Sequence, residues 1–517
     1  MPDDYGVGSW PHRRARINPA GLALRQARRT LTYGELARRV EQLARSLAAR
    51  GIRPGDRVAY LGLNDIATFE VFFAAGRLGA IFVPLNTRLA AGEITALLDD
   101  AAPGALFYGP EQEELIWQVG PAARGAGVLA PVRGTGGSGG DSYEALIEAG
   151  ASLPPVAAEV ALSDHAVILY TSGTTGRPKG ALLSHANLTF NTMNQLAHVD
   201  VLSTDTALCM CPLFHATGLG QVSLPTIFKG GTVVVSPKFE PGEILAAIAQ
   251  LRIASFSAVP TMLQMLCDHP DFPGTELSSV RYVIYGGSMV TERVAVAWQD
   301  RGVHVLQGYG MTEAAPGVYL AIPDGAAQRP VSVGLPHFFT DVALSPLSGQ
   351  EPGASSGELL VRGLNVSGGY WNRPAETAQA FPDGWFRSGD VIRTAGDGWA
   401  YVVDRIKDII ISGGENIYPA QVEAVISSLP GVADCALIAV PDQRWGEVGL
   451  AFVVQAAPQA WTEASLREAL RTELAAFKIP KYVRFVDQLP RTATGKVRKQ
   501  DLRSLAAAEG DHDAHDR

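Results

Sequence analysis

Residues 166–180 of the chain read AVILYTSGTTGRPKG. The apolar run 166–170 predicts a buried β-strand, and the hydroxyl- and glycine-rich run after it predicts a loop. Glycines leave backbone N–H groups accessible and Ser and Thr add hydroxyl donors, so such a loop suits a polyphosphate. It is not a Walker A sequence, because the G-x-x-x-x-G-K-[ST] spacing is not met. The bare composition also allows a mobile Ser/Thr/Gly connector.

The elements around this stretch alternate between helix and strand. Thr32 and Glu35 predict a capping box in front of a helix, and Gly51 predicts its end. A strand follows at Arg57–Leu61, then a helix over 65–78 and an apolar run over 80–85. This rhythm indicates parallel sheets covered by helices, and it returns around residues 180–310. Short strands and Gly-rich turns are predicted over 340–403, and a compact α/β segment over 408–505.

Composition narrows the function classes. The 517 residues are 47% hydrophobic and 18% charged, which is typical of a globular protein of several structural units. A net charge of -9 argues against nucleic acid as the main partner. No secretory signal and no apolar run of about 20 residues is visible, so we expect no transmembrane segment and a cytoplasmic location. The cysteines are too few and scattered for a disulfide scaffold or a zinc site, and they are Cys209, Cys211, Cys267 and Cys435.

One segment imitates a dinucleotide-binding fingerprint. Residues 134–139 read GTGGSG, which matches G-x-G-x-x-G, and a helix-like stretch follows over 143–149. No acidic residue is suitably placed after a second strand, and the match lies within a Gly/Ser-rich run. A flexible surface loop is the better interpretation.

Six ordered motifs resemble one known family. They are TSGTTGRPKG (171–180), YGMTE (309–313), GWFRSGD (384–390), DRIK (404–407), SGGENIYP (412–419) and PRTATGK (490–496). In this order they resemble the adenylate-forming superfamily of acyl-CoA synthetases, adenylation domains and luciferases. The resemblance covers residues 10–505, and the chain looks most similar to bacterial fatty-acyl and aryl-CoA ligases.

The resemblance implies a fold and a division into domains. We expect an α/β chain with a large N-terminal domain of layered α/β sheets plus a β-rich subdomain (1–403). A hinge at 404–407 would connect it to a small, mobile α+β C-terminal domain (408–517) that ends in a frayed tail of about ten residues. In the family this small domain rotates between two half-reactions.

The resemblance also implies the chemistry. A carboxylate attacks the α-phosphate of ATP to give an acyl-adenylate and pyrophosphate, and the thiol of CoA then displaces AMP. Positive charge and oriented donors must therefore dominate the site. Lys496 resembles the lysine that bridges carboxylate and α-phosphate, Glu313 the carboxylate that holds Mg²⁺, and Thr312 a phosphate contact. The remaining implied ATP-binding residues are Thr171, Ser172, Gly173, Thr174, Thr175, Gly176, Lys179, Gly287, Ser288, Tyr309, Asp390 and Arg405.

Further positions are implied for CoA and for the domain rotation. Lys407 occupies the hinge position. The implied CoA-binding residues are Gly413, Gly414, Trp445, Phe477 and Lys478. Ile479 departs from the pattern, since some relatives carry an arginine there for a CoA phosphate, and this leaves the detail of CoA binding open.

The acyl pocket is implied at five positions, and they are His215, Ser257, Gly286, Gly308 and Gly310. His215 is followed by Ala-Thr-Gly instead of the Asp that holds an α-amino group, which disfavours an amino acid. Ser257 and Gly308 stand where aryl-CoA ligases carry bulkier side chains, so the cavity should be long or wide. We expect a large apolar acid, such as a medium- or long-chain fatty acid or a bulky polycyclic acid, and not acetate.

Plainer interpretations stand beside these assignments. Lys496 and Lys407 are also compatible with surface lysines, His215 with a packed core histidine, and Asp390 with Arg405 as a structural ion pair. Among functions, the alternative is an enzyme that performs mainly the adenylation step and passes the acyl group to a carrier protein or partner ligase. A luciferase-type oxidase and a degenerate nucleotide binder are disfavoured. An acyl-acceptor protein and a homodimer remain open as partners.

Overall fold

The computed structural model describes residues 4–132, 142–171, 178–286, 292–329, 331–347, 355–412, 415–457, 460–471, 473–492 and 495–513. The chain divides into two compact units. Unit 1 comprises Met1–Val342 and Val361–Phe386, and unit 2 comprises Ala343–Leu360 and Arg387–Arg517. The domain boundary predicted at 403–408 stays a prediction.

Unit 1 contains most of the regular structure. Its strands are β1 (Leu22–Gln26), β2 (Arg29–Thr32), β3 (Arg57–Leu61), β4 (Ile81–Leu85), β5 (Ala105–Tyr108), β6 (Val128–Pro131), β7 (His165–Thr171), β8 (Lys179–Ser184), β9 (Thr206–Cys209), β10 (Thr232–Val235), β11 (Ser255–Ala258), β12 (Tyr282–Tyr285), β13 (His304–Gly310), β14 (Gly317–Leu320) and β15 (Leu335–Pro336). Its helices are α1 (Trp10–Ile17), α2 (Tyr33–Ala49), α3 (Ile66–Leu78), α4 (Ala91–Ala101), α5 (Glu113–Val119), α6 (Pro121–Arg124), α7 (Tyr143–Gly150), α8 (His185–His198), α9 (Leu224–Lys229), α10 (Pro241–Gln250), α11 (Pro260–Asp268), α12 (Glu292–Gln299), α13 (Pro323–Ala326) and α14 (Pro374–Ala380).

Two twisted sheets organise this unit. One has the order β15-β14-β13-β12-β11-β9-β10-β1-β2, and the other the order β6-β5-β3-β4-β7-β8. The central pairs of both sheets are parallel. Antiparallel pairs stand at both edges of the first sheet and at the β8 edge of the second, whereas β6 at the other edge is parallel to β5. Helices cover the parallel strands, so the strands are buried on both faces and read as continuous apolar runs. The predicted layered α/β architecture is confirmed.

The remaining strands and helices follow towards the C-terminus. They are β16 (Thr340–Ser345), β17 (Ser356–Gly363), β18 (Phe386–Thr394), β19 (Ala400–Arg405), β20 (Ile410–Ser412), β21 (Glu415–Ile417), α15 (Pro419–Ser428), β22 (Val432–Asp442), β23 (Gly446–Gln455), α16 (Glu463–Leu470), β24 (Tyr482–Phe485) and α17 (Lys499–Asp513). Four of these strands form a sheet in the order β16-β17-β18-β19, and the boundaries between unit 1 and unit 2 fall within its strands. In unit 2, β21-β20-β23-β22 form a sheet that β24 extends by pairing with β23.

Local sequence signals account for several element boundaries. The predicted capping box is confirmed, because the Thr32 Oγ1 accepts from the Glu35 N–H and the Glu35 carboxylate accepts from the Thr32 N–H. Asp65 caps α3 in the same way. Helix α17 extends to Asp513, and the frayed tail of about ten residues stays a prediction. None of the helices in the described part of the chain is long and apolar enough to cross a membrane.

Candidate functional site

Strands β7 and β8 hold the two ends of the predicted phosphate loop. They pair antiparallel, with Thr171 opposite Lys179 and Tyr170 opposite Gly180. The Thr171 hydroxyl donates to the Lys179 carbonyl at 3.3 Å. The predicted loop residues between these ends, Ser172, Gly173, Thr174, Thr175 and Gly176, lie outside the described residues, as does the Gly-rich segment 134–139. The structure therefore fixes the edges of this loop, at the end of a parallel strand.

A chain of three polar groups lies next to the loop. The Lys179 ammonium stands 5.6 Å from the ring centroid of Tyr370, within range of a cation–π interaction. The Tyr370 hydroxyl donates to Glu313 Oε1 at 2.7 Å. Burial, followed by the adjacent Glu313 carboxylate, raises the pKa of Tyr370 far above its usual range, so the phenol remains a donor. A cation, a neutral donor and a carboxylate are thus collected at the edge of the sheet.

Backbone pairing brings Tyr370 to this place. The Trp371 N–H donates to the Gly180 carbonyl at 2.8 Å, and the Leu182 N–H donates to the Gly369 carbonyl at 3.0 Å. Tyr370 was not predicted as a site residue. Its signal was the string GGYW at 368–371, where two glycines precede an aromatic pair. The string by itself indicates no chemical role. Its position beside β8 is what places Tyr370 near Lys179 and Glu313.

The predicted adenine and phosphate residues lie at the end of β13 and directly after it. Tyr309 is half-buried near the end of the strand, with its ring 6.0 Å from that of Tyr319. Thr312 and Glu313 begin a short 3₁₀ helix, Thr312–Ala314. Gly310, predicted to line the acyl pocket, has a structural reason to be glycine, because a Cβ there would lie 1.8 Å from the Pro316 carbonyl oxygen. Gly287 and Ser288 lie outside the described residues.

The other predicted acyl-pocket residues fall on neighbouring strands. Ser257 is buried on β11, Gly286 follows β12 and Gly308 is buried on β13, and these three strands are adjacent in the sheet. A Cβ on Gly286 would lie 2.9 Å from the Gly308 carbonyl oxygen. A Cβ on Gly308 would lie 3.3 Å from Nε2 of Gln221, a residue not singled out from the sequence. The structure therefore brings these positions together.

Gln221 belongs to an uncommon local structure. Residues Gly218–Ser223 form a π-helix, a conformation often found at functional sites. The turn before it contains His215, whose N–H donates to the Pro212 carbonyl at 3.1 Å and whose ring lies 4.7 Å from that of Phe214. The sequence signal for this turn was CPLFHATG, but it did not predict the π-helix.

Within unit 2, a second charged group is assembled. Asp390 on β18 lies opposite Arg405 on β19, and Arg405 Nε is 2.8 Å from Asp390 Oδ1. Asp390 is buried, whereas Arg405 and Lys496 are exposed. Desolvation, followed by the positive charge of Arg405, lowers the pKa of Lys496, while Asp390 acts in the opposite direction. Three predicted residues thus lie within electrostatic reach of one another.

The predicted hinge residue lies between two strands of unit 2. Lys407 is in the 3₁₀ helix Ile406–Asp408, between β19 and β20. Desolvation is the main cause that lowers its pKa, and Asp408 opposes it. Asp408 is itself buried and accepts from Arg503 on α17 at 2.7 Å.

The predicted CoA-binding residues also belong to unit 2. Ser412 on β20 pairs with Gly446 on β23, so Ser412 lies opposite the residue that follows Trp445. Trp445 is 45% and Phe477 41% exposed, which is unusual for large aromatic side chains. Lys478 donates to the Gln421 side-chain oxygen at 2.9 Å. Gly413 and Gly414 lie outside the described residues.

No group of three or more His, Cys, Asp or Glu side chains suited to a metal ion occurs among the described residues. Glu313 fits a divalent cation in another way. Mg²⁺ is commonly held by one or two carboxylates together with substrate phosphates, and Glu313 is partly exposed and oriented by Tyr370.

Known proteins resemble this chain over nearly its whole length. The family profile described as AMP-binding enzyme matches residues 10–371, and that of the AMP-binding enzyme C-terminal domain matches residues 421–496. A feruloyl-CoA synthase from Amycolatopsis sp is 48% identical, over 97% of this chain and 99% of its own. An indoleacetate–CoA ligase from Aromatoleum aromaticum is 39% identical, over 97% and 98%. The crystal structure of ATP-bound MatB from Rhodopseudomonas palustris superposes with a TM-score of 0.86 at 32% identity, covering 96% and 98%.

The matched profiles span both predicted domains, and the similar proteins are CoA ligases of acyl and aryl acids. ATP and CoA are accordingly substrates. The chain belongs to the AMP-binding enzyme family and is an ATP-dependent, AMP-forming acid–thiol ligase of the acyl/aryl-CoA ligase type.

Proposed function

We propose that this ligase activates a carboxylic acid with a large apolar body and that, within this class, aromatic acids are its preferred substrates. The large apolar body is supported by the small residues at two predicted pocket positions on nearby strands, Ser257 and Gly308. The preference for aromatic acids rests on the similar proteins alone. Two similar proteins are named for aromatic acids, ferulate and indoleacetate. A medium- or long-chain fatty acid is the second candidate, since a wide pocket also admits an alkyl chain.

The adenylation step requires positive charge and metal near the phosphates. We assign the β- and γ-phosphates to the loop between β7 and β8 with Lys179, and Mg²⁺ to Glu313, which Tyr370 orients through its 2.7 Å hydrogen bond. Mg²⁺ would neutralise phosphate charge as the carboxylate approaches. Thr312 is assigned to the phosphates, and Tyr309 to the adenine ring.

Unit 2 supplies the remaining groups. Asp390 is assigned to the ribose hydroxyls, and Arg405 to the ribose and the α-phosphate. Lys496 carries the positive charge that offsets repulsion between the acid and the α-phosphate. Its lowered pKa is compatible with a lysine next to Arg405 that gains by pairing with an anion.

The thiol step is assigned to CoA. Exposed Trp445 and Phe477 offer aromatic faces, and Lys478 a cation, for a nucleotide. The hinge role of Lys407 and the tunnel role of Gly413 and Gly414 are part of this proposal. A carrier protein as the acceptor is the alternative, which the experiment below separates.

The test is a panel of carboxylates followed in two assays. Acid-dependent ATP–pyrophosphate exchange reports adenylation, and thioester formation with CoA reports the second step. We expect hydroxycinnamates and indoleacetate to exceed decanoate and palmitate, with acetate inactive. A preference for acetate would contradict the large pocket, and a preference for palmitate would reverse the order of the two candidates. Exchange without CoA thioester would favour a carrier protein.

Lys496→Ala is the matched variant for this test. It should reduce exchange by about a thousandfold, because a charge that acts in the transition state is lost, and spare thioester formation from supplied acyl-adenylate. Lys481→Ala is the control, since this lysine of unit 2 pairs with Asp442 and has no assigned role. Equal losses in both half-reactions of Lys496→Ala would refute its assignment.

A further inference from the structure

Helix α8 carries amides on a buried face. Asn187, Asn191 and Asn194 follow one another at helical spacing, and all three are buried. Asparagine is a weak helix former, and a buried amide is costly unless it is hydrogen-bonded. The hydrogen-bond partners of these side chains therefore indicate the role of this buried helix face.

Asn191 joins two backbone segments that are distant in sequence. Its Nδ2 donates to the Gly220 carbonyl at 2.9 Å, and its Oδ1 accepts from the Gly317 N–H at 3.1 Å. The residue is 0% exposed. Both side-chain atoms are thus used, each by a different segment.

Each of these segments bears predicted site residues. Gly220 precedes Gln221 in the π-helix, and Gln221 reaches the position of Gly308 in the proposed acyl pocket. Gly317 pairs with Gly310 across β13 and β14, and the turn between these strands contains Glu313. Asn191 therefore connects the π-helix next to the proposed acyl pocket with the strand that follows the turn containing Glu313.

The two segments are also in direct contact. A Cβ on Gly220 would lie 2.6 Å from the Ala315 carbonyl oxygen, which leaves no space for a shift of the π-helix towards the turn. From the other side, the Asn365 side chain donates to the Ala314 carbonyl at 3.0 Å and to the Gly317 carbonyl at 2.7 Å. The turn is thus held by amides on both sides.

We propose that Asn191 is a positioning residue that fixes the acyl-binding π-helix relative to the turn that carries Glu313. It contacts neither acid nor nucleotide, and it acts by holding the carboxyl group of the acid at the distance that attack on the α-phosphate requires. The inference rests on the proposed function, since it uses the acyl and phosphate assignments. A small displacement of reacting groups has a large kinetic cost.

The test compares Asn191→Ala with Asn194→Ala. Asn194 is the matched control, because it is equally buried on the same helix and also loses two hydrogen bonds, to Thr340 at 3.2 Å and from the Phe339 N–H at 2.7 Å. Both variants should lower Tm to a similar extent. Only Asn191→Ala should lower kcat for pyrophosphate exchange, by about ten- to a hundredfold, and raise the KM for the acid.

The outcomes separate this inference from the function it rests on. If both variants lose the same kcat, or if Asn191→Ala retains wild-type kinetics at a lowered Tm, Asn191 is only structural. Should Asn191→Ala fail to fold, the isosteric Asn191→Asp keeps the acceptor for the Gly317 N–H and removes the donor to the Gly220 carbonyl, and it must change kcat and KM in the same directions for the inference to stand. A wild-type chain that gives no exchange with any acid would instead overturn the proposed function, and the inference with it.

Discussion

Replacing Tyr370 by Phe should slow adenylation by about tenfold. The substitution removes the hydroxyl that donates to Glu313 at 2.7 Å and keeps the ring near the Lys179 ammonium. A hydrogen bond to a charged group contributes about 1.5–3 kcal/mol, and Glu313 is partly exposed, so we take the lower end of that range. About 1.4 kcal/mol corresponds to tenfold, so we expect kcat to fall by about tenfold on the premise that the oriented carboxylate acts in the transition state.

The assay is acid-dependent ATP–pyrophosphate exchange at saturating acid over a series of Mg²⁺ concentrations. We expect Tyr370→Phe to lower kcat and to raise the Mg²⁺ concentration at half-maximal rate, because the carboxylate loses its orientation. Tyr170→Phe is the matched control, since the Tyr170 hydroxyl also donates to a carboxylate, that of Asp100, at 2.7 Å. Equal kinetics in the two variants, at equal loss of Tm, would refute the reasoning.

Three further outcomes are expected. Gly308→Ala should fold, because its Cβ would lie 3.3 Å from Gln221 Nε2 and no closer to other atoms. It should shift the ratio of kcat/KM values towards smaller acids in the carboxylate panel. An unchanged ratio would place Gly308 outside the pocket. The lowered pKa of Lys496 means that its ammonium is lost at a lower pH than in an ordinary lysine, so exchange should fall on the alkaline side before pH 10.5, and this limb should vanish in Lys496→Arg, which a pH–rate profile checks. Burial lowers the pKa of His185 to about 4 from 6.5, so below pH 6.5 the unfolded chain binds a proton that the folded chain does not. The free energy of unfolding should therefore fall as the pH drops, by on the order of 2 kcal/mol between pH 7.5 and pH 5. His185→Gln should flatten this part of a denaturation series measured against pH, and an equally steep series would exclude His185 as its source.

Local signals in the sequence predicted much of the fold. The strand Arg57–Leu61 and the capping box at Thr32 are predictable from the sequence, because both depend on residues a few positions apart. The π-helix at Gly218–Ser223 was not predicted, since its geometry depends on packing against segments distant in sequence, such as the contact of Gly220 with Ala315.

The sequence by itself determined the family and the chemistry, because the motifs at 171–180, 309–313 and 490–496 are short and their residue types must lie close together along the chain. Tertiary structure decided which other residues lie next to them. Tyr370 reaches Glu313 across 57 positions, and Asn191 reaches Gly317 across 126. A hydrogen bond requires proximity in space, and sheet pairing and helix packing supply that proximity without leaving a periodic or local pattern in the sequence.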